Sequence, residues 1–189
     1  MKRYAFSFVI ATMVFALGCA HMPQAAPVDS DALAAMQTYE YGDSREPLTA
    51  VQDMVRDAAN GPDGGKALAA ELGALLGNRG TTHDAKQFIC RQLWIIGTES
   101  EVADLAPLLT NPDTSDMARY ALEGIPGAAA DEALIAALPR TSGATKAGII
   151  STLGNRRAGT ARDALQPLAT DADPIVAAAA ISALDKLGS

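Results

Sequence analysis

The sequence predicts an all-α fold, an α-solenoid of about five stacked helix pairs. Three observations carry that expectation. Leu93, Leu122, Leu153 and Leu184 recur at intervals of 29, 31 and 31 residues. A second series, Leu105, Leu134 and Leu165, trails the first by a constant 12 residues. Around both series apolar residues recur at helical spacing, and alternating runs of Val, Ile, Thr and aromatics are missing. A period of roughly thirty residues means repeated units too small to bury their own apolar faces, so neighbours must stack.

Composition supports this. The 189 residues suffice for one buried core or a short array, and the 49% apolar share contains only 5% aromatics. Much of it is Ala, the best helix former. Net charge is −7, and −9 if Lys2 and Arg3 are removed. Such a chain repels the phosphate backbone, so no nucleic-acid partner is expected. Its acidity also argues against electrostatic docking on anionic lipid. Two histidines, His21 and His83, and two cysteines, Cys19 and Cys90, lie apart. No metal site, cofactor, disulfide framework or catalytic triad is expected, and the chain reads as no enzyme. Gly61-Pro62-Asp63-Gly64-Gly65 lacks the Lys-Ser/Thr end of a phosphate-binding loop.

The first residues read as an address. Lys2 and Arg3 precede 15 nearly apolar residues, Tyr4 to Gly18. That is short for a spanning helix, which needs about 20, and fits a secretory signal peptide. Ala16-Leu17-Gly18-Cys19 resembles the lipobox of bacterial lipoproteins. The resemblance implies a signal peptide over 1–18, cleavage after Gly18, and a diacylglycerol on the Cys19 sulfur. It thereby implies a bacterial cell-envelope protein held in the membrane by lipid. Ala20 is not Asp, which by the same resemblance favours the periplasmic side of an outer membrane in a diderm cell. Plain secretion is the alternative. Residues 19–30, with Pro23 and Pro27, read as a flexible tether, and 31–189 as the solenoid.

In order along the array, Asp31 starts a helix through Leu33, Met36 and Tyr39, which Gly42 ends. Ser44 is the expected cap of the next, with Pro47 in its first turn and Leu48, Val51, Met54 and Val55 as its stripe. After the 60–65 turn cluster comes a helix from Lys66 to Leu76, with Gly77 as its C′ residue. A helix from about Asp84 carries Phe88, Ile89, Leu93 and Ile96 on one face, with Cys90 and Trp94 on a flank. Burial among such neighbours makes an inert thiol. Ser100 is the expected cap of Glu101 to Leu109, where Glu99, Glu101 and Asp104 complement the helix dipole. Met117, Ala118, Ala121, Leu122 and Ile125 mark the partner helix, stopped by Pro126-Gly127. Asp131 to Leu138 and a helix through Ile149, Ile150 and Leu153 repeat the pair. Thr160 is the expected cap of the last outer helix, anchored by Leu165 and Leu168. Asp173-Pro174 opens the final helix, Ile175 to Leu187. Pro107 and Pro167 fall at matching phases, in Leu105-Ala106-Pro107-Leu108 and Leu165-Gln166-Pro167-Leu168, and predict a repeated bend.

The stretch Asp171-Ala172-Asp173-Pro174-Ile175-Val176-Ala177 through Ala183-Leu184-Asp185-Lys186-Leu187-Gly188 resembles the second half of a bacterial HEAT repeat of the phycobilisome-lyase type. Asp116 to Leu122 is a looser match that keeps an Arg, at Arg119. The resemblance covers about 66–188. It implies HEAT-like helix pairs whose second helices line a concave face, and it implies little about activity, because such repeats serve many roles.

Arg119, Lys146, Arg156 and Arg157 stand out in an acidic chain. Arg119 and Lys146 fall near the starts of successive inner helices, and Arg156 and Arg157 fall in a loop between repeats. Two readings stay open: a positive patch for an acidic partner segment, or arginines that brace neighbouring repeats. The leading function is a lipid-anchored, non-enzymatic scaffold for an unknown protein partner. A chromophore-lyase-like or chaperone-like groove follows by resemblance to phycobilin lyases. A structural homo-oligomer follows from the final helix, which is apolar nearly all round and has no polar capping repeat after it.

Overall fold

The computed structural model describes residues 28–188. Cys19 and the signal-peptide and lipidation readings lie outside these residues. Ten α-helices follow one another: α1 (Ser30–Gln37), α2 (Glu46–Ala59), α3 (Lys66–Leu76), α4 (His83–Ile96), α5 (Val102–Leu105), α6 (Ser115–Gly124), α7 (Ala128–Ala137), α8 (Gly143–Asn155), α9 (Arg162–Leu165) and α10 (Pro174–Gly188). They form five antiparallel pairs stacked as an α-solenoid. The second helices make one layer, with α2 against α4, α4 against α6, α6 against α8 and α8 against α10. In the other layer α3 packs on α5, α5 on α7, and α7 on the turn entering α9.

The leucines of both series face between the layers. Leu93, Leu122, Leu153, Leu105, Leu134 and Leu165 are all fully buried. Each buried leucine contributes about 1.5–3 kcal/mol, so the two series form the continuous core that holds the pairs together. Leu184 is only half-buried, because no described helix packs on the far side of α10. Ile175 and Ile181 are exposed on that helix.

The predicted bends take a particular form. Val102–Leu105 and Arg162–Leu165 are α-helical, and each tightens into a 3-10 segment, Ala106–Thr110 and Gln166–Thr170, with the proline in its first turn. Proline lacks the N–H of an α-turn and its ring clashes with the carbonyl four residues back, so the α-ladder stops there and the chain continues in i→i+3 winding.

Several caps differ from the expected ones. Thr98, not Ser100, caps the segment before α5: its Oγ1 accepts from the Ser100 N–H at 3.2 Å, and Glu101 Oε2 accepts from the Thr98 N–H at 2.7 Å. This capping box buries Glu101. Thr160 lies inside a 3-10 turn, Gly159–Ala161, and caps nothing. Arg45 holds the cap position of α2, while Ser44 Oγ accepts from the Glu46 N–H at 3.3 Å. Gly77 has φ −80°, so it is not a left-handed C′ residue. At the other end of α3, Gly64 and Gly65 do take left-handed conformations leading into the helix. There Asp63 accepts from the Gly65 and Ala67 N–H groups at 3.1 and 3.2 Å, and these bonds hold its carboxyl below the usual carboxylate range. His83 is the first residue of α4, where Thr82 Oγ1 caps the Ala85 N–H at 3.1 Å. Asp29 caps α1 one residue earlier than expected, and Asp173 Oδ1 accepts from the Ile175 N–H at 2.9 Å, as its Asp-Pro sequence implies.

Candidate functional site

The second-helix layer turns one face to the core and the other to solvent. On α4 the core side takes Phe88, Ile89, Leu93 and Ile96, together with Cys90 and Gln92. Gln87, Arg91, Trp94 and Ile95 share another face of the helix and are exposed. On α6 the corresponding face carries Asp116, Tyr120 and Glu123. Three of these are large hydrophobics: Trp94 is 46% exposed, Ile95 55% and Tyr120 50%. Burying them would gain free energy, so leaving three together in water marks a surface with a use. Cys90 and Trp94, one turn apart on α4, differ in depth, the first buried and the second half-exposed.

Trp94 and Tyr120 stack across the α4–α6 boundary, ring centroids 6.0 Å apart and 30° between planes. Gly124 makes room for this. A Cβ there would stand 2.6 Å from Trp94 Cδ1, well inside contact distance. Trp94 thus packs directly on the backbone of α6, and aromatic side chains, with two χ angles each, lose little entropy on binding.

Two cavities open on this face and share Arg91 and Tyr120. One, of about 530 Å³, lies between α2, α4 and α6 and is lined by Val55, Arg56, Ala59, Arg91, Trp94 and Ile95 among others. The other, of about 690 Å³, lies between α4, α6 and α8, with Asp116, Met117, Glu123 and Thr152 on its walls and Cys90 at its edge. Burial pushes the Cys90 thiol up to about 12, with Lys86 offsetting slightly, so it stays protonated at neutral pH.

The four cations singled out in the sequence go to different places. Arg119 reaches from α6 to α8, where Nη1 donates to Gly148 O at 3.2 Å and Thr152 Oγ1 at 3.3 Å, and Nη2 pairs with Asp116. Its guanidinium lies on Gly148, where a Cβ would be 2.6 Å from Cζ. Burial pulls its pKa down, nearby Glu123 works the other way, and the group remains charged. Arg156 is more deeply engaged. Its Nε pairs with Asp131 at 2.5 Å, Nη1 donates to the carbonyls of Leu122, Glu123 and Ile125, and Nη2 donates to Gly127 O at 3.0 Å. Leu122 and Glu123 belong to the last turn of α6, and Ile125 and Gly127 to the turn into α7, so Arg156 closes α6 and ties the end of α8 back to the preceding pair. Arg157 is exposed at φ +53°, and Lys146 is half-buried in the first turn of α8. The structure thus lays Arg119 on α8 at Gly148 and Thr152, and it commits the guanidiniums of Arg119 and Arg156 to bracing.

A polar rail completes the face. Lys186 Nζ donates to Asn155 Oδ1 at 2.6 Å, and Asn155 Nδ2 donates to Glu123 at 3.3 Å, linking α10, α8 and α6. Sequence reasoning missed Arg91, Ile95 and Tyr120 as surface residues. The signal existed: Ile95 and Tyr120 fall off the apolar stripes of their helices. Among the described residues, no group of three or more His, Cys, Asp or Glu is placed to hold a metal ion, and no helix is long and apolar enough to cross a membrane.

Comparison with known proteins agrees with this architecture at its C-terminal end. The family model for HEAT repeats matches residues 132–189, which span most of α7 through α10. No curated protein and no solved structure matches the chain.

Proposed function

We propose that the whole array is of HEAT type and serves as a non-enzymatic scaffold that holds a partner protein on its second-helix face. The observation that carries this reading is the exposed platform of Trp94, Ile95 and Tyr120 between two cavities. HEAT repeats are commonly protein-interaction scaffolds, and solenoids present extended binding surfaces of this kind. Aromatic side chains on a rigid support are the usual energetic centre of such interfaces.

The lipobox-like Ala16-Leu17-Gly18-Cys19 adds a place for this activity. Lipid on Cys19 would tether the solenoid to a bacterial envelope membrane and leave it free to engage a partner there. Several acyl chains, each contributing about 0.8 kcal/mol per buried CH₂, suffice for stable anchoring.

Affinity capture from solubilised envelopes of the source cells tests both parts. The full chain is expected to retain a protein that a Trp94→Ala, Tyr120→Ala chain loses. Retention of the same proteins by both would remove the platform from consideration. In parallel, Cys19→Ser should abolish incorporation of a labelled fatty acid and release the chain from the membrane fraction.

A further inference from the structure

The two cavities beside the aromatic platform differ in charge. The one between α2, α4 and α6 is lined by Arg56 and Arg91 and by no carboxylate. Arg56 is already held by Asp53 at 2.7 Å and Asp57 at 3.4 Å on the solvent rim. The Arg91 side chain is exposed and makes no hydrogen bond or ion pair with another described residue. Val55, Ala59, Trp94 and Ile95 form the apolar remainder of the lining. Across Arg91 and Tyr120, the second cavity carries Asp116 and Glu123 together with Arg119, which pairs with Asp116.

We propose that the cavity between α2, α4 and α6 receives an acidic–apolar peptide segment of the partner protein. One large apolar side chain enters against Trp94 and Ile95, and a neighbouring carboxylate pairs with Arg91. The proposal rests on the scaffold reading and specifies its partner. Arg91 supplies a fork of donors that a carboxylate matches in geometry as well as charge. A basic residue beside the anchor would meet Arg91, whose charge no carboxylate of the lining offsets. With Asp116 paired to Arg119, Glu123 is the carboxylate that disfavours a run of acids continuing towards α8, so the segment carries its negative charge next to the anchor. A phosphodiester chain is disfavoured, because binding one takes many cations and this chain has a net charge of −7.

The test pans a phage-displayed library of random peptides against the full chain in detergent. Selected peptides are then measured by fluorescence anisotropy. Expected is enrichment of Asp or Glu beside a Leu, Phe or Trp, with affinity falling at least about tenfold on Trp94→Ala and on Arg91→Glu. Exchanging the peptide's acid for Lys should weaken binding to the wild-type chain and restore binding to Arg91→Glu. Ile95→Ser, at an exposed position, provides a second variant should Trp94→Ala lose its fold by circular dichroism. Neutral or basic peptides that need Trp94 but ignore Arg91→Glu would overturn the proposed chemistry and leave the scaffold reading standing. Peptides indifferent to every one of these substitutions would overturn both. A dimer in sedimentation that dissolves on Ile95→Ser would assign the cavity to a second copy of the chain and overturn the proposal.

Discussion

Arg156 shows how one side chain can hold two repeats together. In the leucine register it occupies the place that Ile96 and Ile125 fill in preceding repeats, three residues after the rung. Its stem spans that gap while its head takes up the carbonyls ending α6 and the Asp131 carboxylate. Arg156→Ala should therefore cost about 3 kcal/mol in urea unfolding, since it leaves buried carbonyls and a half-buried carboxylate unpaired. Arg156→Lys should recover less than half of that, lacking the planar fork. A loss under about 0.5 kcal/mol would place the residue on a solvated surface. Gly148→Ala should cost about 1–3 kcal/mol by pushing on the Arg119 guanidinium, and much less in an Arg119→Ala background. Cys90 offers a pH test. Its folded pKa, about 12, lies above the ordinary 9.0, so its contribution to stability is complete below pH 9 and is lost as pH rises towards 12. Relative to Cys90→Ala, the wild-type chain should lose stability between pH 9 and 11, and its thiol should resist alkylation at pH 8 until the chain unfolds.

Helices were legible in the sequence where burial is one-sided and periodic, and illegible where local turn chemistry decides. The Lys66–Leu76 helix appears with the expected bounds because its leucines and flanking glycines agree. The segment from Glu101 to Leu109 was expected as a helix bent at Pro107, and it changes there from α to 3-10 winding, while Thr98 outcompetes Ser100 as cap because Glu101 can answer it reciprocally. Choosing between two adjacent hydroxyls requires knowing which one the chain leaves extended. The site was harder to see. Trp94 was visible only as a large residue beside the stripe, and its exposure depends on Gly124 lying beneath it from a helix thirty residues on. The same limit applies to Arg156, whose partners come from α6 and α7. The depth of each rung makes a separate prediction. Leu153→Ala should cost about 2–5 kcal/mol, as for a fully buried leucine, and Leu184→Ala no more than about 2 kcal/mol, because Leu184 is half-buried. Chemical denaturation of the two variants checks the order, and equal losses would mean that α10 is covered in solution.

At the scale of the molecule, stacked pairs divide the labour between two faces of one layer. The core face of the second helices carries the leucine series and holds the array together. The solvent face carries an aromatic platform, one unengaged arginine and a polar rail, and none of these is needed for packing between the layers. That separation is what allows a solenoid to change its surface without losing its fold. Trp94 is the single tryptophan of the chain and sits at the centre of the proposed interface, so its fluorescence reports on that interface alone. The most direct measurement titrates the captured partner into the full chain and follows Trp94 emission and its quenching by acrylamide. Emission should shift to the blue and quenching should fall as the half-exposed indole is covered. A partner that binds with emission and quenching unchanged, its own tryptophans accounted for, would contradict the assignment of the second-helix face as the docking surface.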